Sequence, residues 1–283
     1  FVLSYFGVEI LRRWVLRREI LDIPNERSSH TTPTPRGGGL AIAGVSLCFY
    51  AACTIYLPVN FHWSYFVGAL LIALISWIDD LVSIAFGWRF LIHSTAAILV
   101  IWSLGYWHEI YIPFFGNIDF GKFGIVLTFC WIVWLTNAFN FMDGIDGIAG
   151  LQAITAGIGW LVVGKMLGLD DQSFYGGILA FSSLGFLIHN WEPAKIFMGD
   201  VGSAFLGYSF AVLPLLPTVR SESRLPFIAT LLVFCFVIDS LLTFFKRLAK
   251  KERVWEPHRE HIYQKLVIKG YSHRFVTIFY GVI

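Results

Sequence analysis

Charge is scarce in this sequence. Only 14% of its 283 residues are Asp, Glu, Lys or Arg, against about 25% in an ordinary soluble domain. That scarcity excludes a typical soluble globule and an intrinsically disordered chain alike. Cysteine is almost missing too: Cys48, Cys53, Cys130 and Cys235 all lie in apolar runs, without metal-ligand spacing or polar neighbours. They read as small buried hydrophobes, and a disulfide-stapled secreted scaffold is ruled out. Period-two alternation never persists long enough for a lipid-facing barrel. There is no internal repeat of the transporter kind and no low-complexity tract. What the chain has in abundance is apolar surface: 57% hydrophobic residues, with 27 Phe and 11 Trp. A single globular core does not accommodate so much. The sequence describes an all-α, polytopic transmembrane bundle.

A membrane-crossing helix needs about 20 mainly apolar residues at about 1.5 Å each. The pattern predicts about ten spans: a fragment at 1–11, then 38–59, 63–83, 88–107, 122–141, 147–167, 174–191, 198–217, 225–246, and a start near 273. The first and last read as truncated helices, and residues 1–283 as a single integral-membrane domain. The link at 108–122, with Pro113, Gly116 and Gly121, is expected as a short surface hairpin or a partly embedded loop. Alternate crossing puts 12–37, 80–89, 137–146, 190–200 and 246–272 on one side, and that side, with Arg274 just beyond the last range, carries 17 of the 21 Lys and Arg. By the positive-inside rule it is the cytoplasmic side.

Charges within or at the ends of spans are costly and by default mark function. Here they collect on the cytoplasmic side. Asp79 and Asp80 end one span; Asn137, Asn140, Asp143 and Asp146 sit in NAFNFMDGIDG; Asn190 and Asp200 bracket HNWEPAKIFMGD; Asp239 lies in the last full span. Adjacent carboxylates repel and desolvate poorly, so they need a cation or strong donors nearby. An all-oxygen donor set favours Mg²⁺, with Mn²⁺ as a substitute, over zinc, and Mg²⁺ is usually shared with substrate phosphates. Gly144, Gly147, Gly199 and Gly202 interleave with these acids and permit close backbone approach. The bland alternative is a polar network that merely ties helices together.

Two basic segments accompany the acids. DIPNERSSHTTPTPRGGG at 22–39 brings Arg27, His30 and Arg36 into a connection without a central helix. The 246–274 segment splits into two readings. Lys246, Lys250, Lys251 and Arg253 suit anionic lipid headgroups, whereas Arg259 and His261 suit a phosphate pocket. Nucleic acid is excluded as a partner, because the cations lie against a membrane and no recognition module is present. Together these features describe a cytoplasm-facing, divalent-metal site for a polyanionic substrate at the bilayer boundary. The competing reading is a transporter or flippase that uses intramembrane acids for ion coupling.

The motifs DIPNERSSHTTPTPRGGG, IDD at 78–80, NAFNFMDGIDGIAG at 137–150, FMGDVGSAFLG at 197–207 and PHREHIYQKL at 257–266 together resemble the polyprenyl-phosphate N-acetylhexosamine-1-phosphate transferase family. The resemblance covers about residues 12 to 274. It implies a reaction of a UDP-N-acetylhexosamine with undecaprenyl phosphate at the bacterial inner membrane, giving undecaprenyl-diphospho-sugar and UMP. The PHREHIYQKL version is most similar to transferases that initiate O-antigen on a 6-deoxy N-acetylhexosamine such as N-acetylfucosamine or N-acetylquinovosamine. It departs from the His-rich peptidoglycan branch at Arg259, Glu260, Tyr263 and Gln264.

By that resemblance, Asp200 is the first choice of Mg²⁺ ligand, with Asp80 beside it. Asp79, Asp80, Asp143 and His261 are the catalytic candidates, Asp79 matching the residue that deprotonates or orients the lipid phosphate. Asn137, Asn140, Gly144, Ile145 and Asp146 match the nucleotide and phosphate run, and Asn190 an asparagine with a positional role. Arg36 and Arg259 are expected to offset diphosphate charge, and dimers are common among related enzymes. A phosphate monoester, with a second pKa of about 6, is already an anionic nucleophile near neutral pH. Direct attack is therefore the expected course rather than a covalent double displacement.

Overall fold

A computed structural model describes residues 1–24, 32–217, 222–252 and 259–282. Arg27, His30, Arg253 and His258 therefore lie outside the described residues.

Helices dominate. In chain order they are α1 (Val2–Arg17), α2 (Gly39–Tyr56), α3 (Trp63–Val82), α4 (Phe86–Leu104), α5 (Gly124–Met142) and α6 (Ile148–Leu167). They continue with α7 (Asp170–Asn190), α8 (Asp200–Val212), α9 (Leu225–Leu232), α10 (Phe234–Ala249), α11 (Ile262–Ile268) and α12 (His273–Val282). The interiors of α2 to α6 contain no proline, so no turn loses its hydrogen bond. α2 ends at Tyr56, and Leu57, the residue before Pro58, is extended, because the α conformation is disfavoured there. α6 stops at Gly168, which takes φ +70 as a left-handed cap.

The expected ten spans are too many. Among the described residues five helices are long and apolar enough to cross a membrane, α2 to α6, and the count rises to six if α9 and α10 form one broken span, bent by 83°. The predicted spans 38–59, 63–83, 88–107, 122–141 and 147–167 correspond to those five. The others fail for separate reasons. α1 carries Glu9 with Arg12 and Arg13 paired to it at 2.9 and 2.7 Å. α7 is 21 residues long but includes Gln172, Ser173, Ser182, Ser183, His189 and Asn190, all buried. α8 has 13 residues, about 20 Å at helical rise. The physical reason is that hydropathy registers removal from water, whatever does the removing. Every residue of α8 from Val201 to Val212 is covered by protein, packed among α2, α3 and α5.

Among the described residues strands are confined to two short ribbons. β1 (Leu21–Asp22) pairs antiparallel with β2 (Thr34–Pro35), placing Leu21 opposite Pro35. β3 (Glu109–Ile112) and β4 (Gly116–Asp119) form the surface hairpin that was one of the two expectations for 108–122. Phe114 and Phe115 are exposed at its tip.

Candidate active site

The site is built where the C-terminus of α3 meets the N-terminus of α8. Asp80 stands at the end of α3, and its carboxylate accepts the backbone N–H of Asp200 on Oδ1 at 3.0 Å and of Val201 on Oδ2 at 3.2 Å. One helix thus caps the next across 120 residues, satisfying orphan N–H donors at the positive end of the helix dipole. Gly199 makes this approach feasible. It takes φ +75, and a Cβ there would stand 2.6 Å from Asp80 Oδ2. The segment after β2 is pinned to the same junction: Gly38 and Gly39 donate to the carbonyls of Phe197 and Met198 at 2.9 and 2.8 Å, and Phe197 donates to Pro35.

Arg36 arrives on that segment. Its guanidinium donates to the Asp80 carbonyl through Nη2 at 2.8 Å and Nε at 3.2 Å, and Nη2 lies 3.4 Å from Asp80 Oδ1. The residue expected to offset diphosphate charge is placed on the end of α3, where it caps carbonyls and holds Asp80.

Arg89, in the first turns of α4, is the cation at the centre. Its Nη1 donates to Asp79 Oδ2 at 2.6 Å and to Asp200 Oδ2 at 2.9 Å. Asp79 Oδ1 accepts the N–H of Ile84, which reaches back because Ser83 turns out of α3 at φ +50. Sequence reasoning counted Arg89 only as cytoplasmic charge. The missed signal was a lone arginine in an apolar run ten residues beyond an acidic pair, where a charge is retained only with a partner.

Asp143 caps the C-terminus of α5. Burial, followed by the negative charges of Asp200, Asp80 and Asp146, pushes its carboxyl up to about 8. Acids from three separate connections therefore converge on one locality. Asn140 donates to Ser203 Oγ at 3.1 Å, so it faces the first turn of α8. Asn137, one turn earlier, donates to the Val133 carbonyl at 2.7 Å and lies 3.3 Å from His93 Nδ1.

Other expected residues form an outer ring around this centre. Asn190 bridges two loops, accepting from Gly147 N–H at 2.9 Å and donating to the Ile196 carbonyl at 2.9 Å. Asp146 Oδ2 accepts from Ala194 N–H at 3.0 Å, and Oδ1 lies 3.5 Å from His273 Nδ1. Gly144 leaves room for the Tyr263 hydroxyl, and Ile145 is core. Arg259 is half-buried at the start of a described segment, near enough that its charge acts on the Tyr263 phenol.

His261 is buried at the N-terminus of α11, with Nδ1 3.1 Å from Asp239 Oδ1. It also lines the inner end of a groove of ≈ 750 Å³ beside α5, where α10 breaks away from α9. Asn137 and Arg247 share that end, while Trp107 and Ile110 mark the opposite one, and aromatic residues such as Trp131 and Trp134 line the wall between. Nearby, Lys246 and Lys250, two of the basic residues read as lipid contacts, are engaged with acids. Glu260 lies 3.0 Å from Lys246 and 3.4 Å from Lys250. The Lys246 ammonium holds the Glu260 carboxyl well below the usual range, at about 2.

Among the described residues no group of three or more His, Cys, Asp or Glu is arranged to hold a metal. The chemistry of the donors nonetheless fits a hard divalent ion. Asp79 Oδ2 and Asp200 Oδ2 already share one cationic partner, Arg89 Nη1, and oxygen-only donors suit Mg²⁺. Asp80 has both oxygens engaged by α8, and Oδ1 also faces Arg36, which leaves a lone pair on Oδ2.

Comparison with known proteins places this geometry in context. The model of glycosyl transferase family 4 matches residues 62–218. The chain is 33% identical over 276 residues to a probable undecaprenyl-phosphate N-acetylglucosaminyl 1-phosphate transferase of Bacillus subtilis (strain 168), covering 95% of this chain and 75% of that one. It is 33% identical over 307 residues to the decaprenyl-phosphate N-acetylglucosaminephosphotransferase of Mycobacterium leprae (strain TN), covering 98% and 77%. With the undecaprenyl-phosphate alpha-N-acetylglucosaminyl 1-phosphate transferase of Thermotoga maritima it shares 29% identity over 271 residues, covering 95% and 81%.

Proposed function

The chain belongs to glycosyl transferase family 4, the polyprenyl-phosphate N-acetylhexosamine-1-phosphate transferases, and from that membership we propose that it transfers N-acetylhexosamine 1-phosphate from a UDP-sugar to undecaprenyl phosphate. The products are undecaprenyl-diphospho-N-acetylhexosamine and UMP, the opening step of O-antigen or a related envelope glycan. The observation that carries this reading is the junction of two unlike compartments. An apolar groove long enough to lie along α5 ends at Asn137, Arg247 and His261, beside a polar centre built from Asp79, Asp200, Asp143 and Arg89. A lipid phosphate and a water-soluble nucleotide sugar meet naturally at such a boundary.

In this mechanism the acceptor's isoprenoid lies in the groove and its phosphate stands at the inner end. One phosphate oxygen attacks the phosphorus nearer the sugar, that P–O bond forms, and the bond to the UMP oxygen breaks. Arg89 is the cation placed to meet the diphosphate, with His261 and Arg259 approaching from the last loop. Asp79 orients the acceptor phosphate, and the run 137–146 receives the nucleotide. Asp200, with Asp79 and Asp80 beside it, would hold the Mg²⁺, which when bound counters charge on the diphosphate and improves the leaving group. The acidic end faces the cytoplasm of a bacterial inner membrane in this reading, which the positive-inside rule supports because Arg36 and Arg89 stand among the acids and Lys246 and Lys250 beside the His261 loop.

The relatives' names put N-acetylglucosamine first among sugars, and the 257–266 segment puts 6-deoxy N-acetylhexosamines beside it. A contact to one hydroxyl or methylene separates such sugars by only about 1–3 kcal/mol. The test is purified protein with undecaprenyl phosphate and a panel of UDP-N-acetylhexosamines, following UMP by mass spectrometry. UMP release that requires the lipid is expected; none with any sugar would refute the reading. A phosphosugar–enzyme adduct formed without lipid would refute direct attack.

A further inference from the structure

Asp239 is a buried carboxylate with no part in the mechanism above. It lies on α10, 1% exposed, and five donors converge on it. Oδ1 accepts from Thr243 Oγ1 at 3.2 Å, His261 Nδ1 at 3.1 Å and the N–H of Ile262 at 2.9 Å. Oδ2 accepts from the N–H of Tyr263 at 3.1 Å and the Tyr280 hydroxyl at 2.7 Å. This saturation leaves little capacity to ligate metal or substrate.

A cap for α11 does not require a negative charge. The backbone donors of Ile262 and Tyr263 would be served by a neutral acceptor, without the several kcal/mol that desolvating a carboxylate costs. Among the five donors, only His261 can itself carry charge. Because a carboxylate only accepts, Nδ1 must bear the proton, and in the neutral ring this assigns the lone pair to Nε2. Tyr280, reaching in from α12, fixes the carboxylate from the other side.

We propose that Asp239 is a positioning residue that locks the rotamer and tautomer of His261 at the inner end of the groove. This rests on the reading above, in which His261 meets the donor diphosphate. The arrangement is that of a carboxylate behind a functional histidine; behind metal-bound histidines the loss of such a partner costs about 10–100-fold in affinity or activity, and a loss on that scale is expected here.

The test uses the whole protein in nanodiscs, with Asp239→Asn, Asp239→Glu, His261→Asn and the double variant Asp239→Asn/His261→Asn. Asp239→Asn is expected to lower kcat by about 10–100-fold with KM for either substrate little changed, and Asp239→Glu to recover part of the loss. In the His261→Asn background, Asp239→Asn should cost almost nothing more, since its effect runs through the ring. A merely structural cap would instead lower kcat by the same factor in both backgrounds, and that outcome, or normal kcat in Asp239→Asn, overturns the proposal. If Asp239→Asn does not assemble, Asp239→Glu carries the test through its kcat-against-KM split.

A second measurement is independent of turnover. In ¹⁵N spectra of histidine-labelled protein, the signals lost in His261→Asn identify the ring. They should show a protonated Nδ1 in the wild type and altered signals in the Asp239 variant. An unprotonated Nδ1, or identical signals, would sink the dyad. Absence of UMP with an intact dyad signature would sink the functional reading instead.

Discussion

Replacing Arg89 by glutamine removes the single cation shared by Asp79 and Asp200 and leaves two carboxylates facing each other. Their nearest oxygens contact the same nitrogen at 2.6 and 2.9 Å, so they lie no more than about 5.5 Å apart. At an effective dielectric of about 20, two unit charges at that distance interact by about 3 kcal/mol. The Asp200 side chain is 30% exposed, and screening reduces the effect towards half. A divalent ion entering the wild-type site must displace Arg89 or endure its repulsion; in Arg89→Gln it meets uncompensated negative charge. Mn²⁺ should therefore bind the substrate-free variant roughly 10–100-fold more tightly, since about 1.4 kcal/mol is a factor of ten. Turnover should fall at the same time, because the cation placed to meet the diphosphate is gone. The assay is a Mn²⁺ titration of detergent-purified protein followed by electron paramagnetic resonance, with UMP release measured separately. Unchanged or weaker Mn²⁺ binding would refute the idea that Arg89 stands between the acids as a cation would.

Three more outcomes follow from the same geometry. Asp200→Asn should lower UMP release by about 10²–10³-fold with the fold intact, since the side chain keeps its volume; near-normal turnover at millimolar Mg²⁺ would contradict the assignment. Asp143, raised to about 8 from 3.8, binds its proton more tightly folded than unfolded, so metal-free stability should decline as pH rises from about 4 to 8. Thermal midpoints across that range should show the decline in the wild type and a flatter profile in Asp143→Asn; parallel profiles would disprove it. Gly199→Ala forces a Cβ to within 2.6 Å of Asp80 Oδ2 at φ +75 and should cost at least about 1–3 kcal/mol, read as a lower thermal midpoint with reduced turnover; a variant indistinguishable from wild type would refute the account of the α3–α8 cap.

Much of this protein is legible in one dimension because its solvent is unusual. Low charge and abundant aromatics announce the bilayer, and the five prolineless runs that become α2 to α6 carry enough apolar length to be recognised individually. The motif segments also announce themselves, since acids at the edge of lipid are retained only at a cost. Asp79, Asp80, Asp143 and Asp200 are identifiable on that ground from the sequence.

What the linear pattern cannot contain is what covers each apolar residue and what each charge faces. α8 reads as a lipid span, yet its neighbours are helices; α7 carries buried serines and glycines that only protein packing accommodates. The use of Asp80 as a cap for a helix 120 residues away, the double grip of Arg89, the diversion of Arg36 to backbone carbonyls and the saturation of Asp239 are all relations between distant segments. Propensity and hydropathy are properties of neighbours along the chain, whereas a hydrogen bond is decided by proximity in space. Composition and periodicity therefore determined the solvent, the helical class and the inventory of reactive groups, and only the packing of α3, α4, α8 and α10 decided which of those groups act on one another.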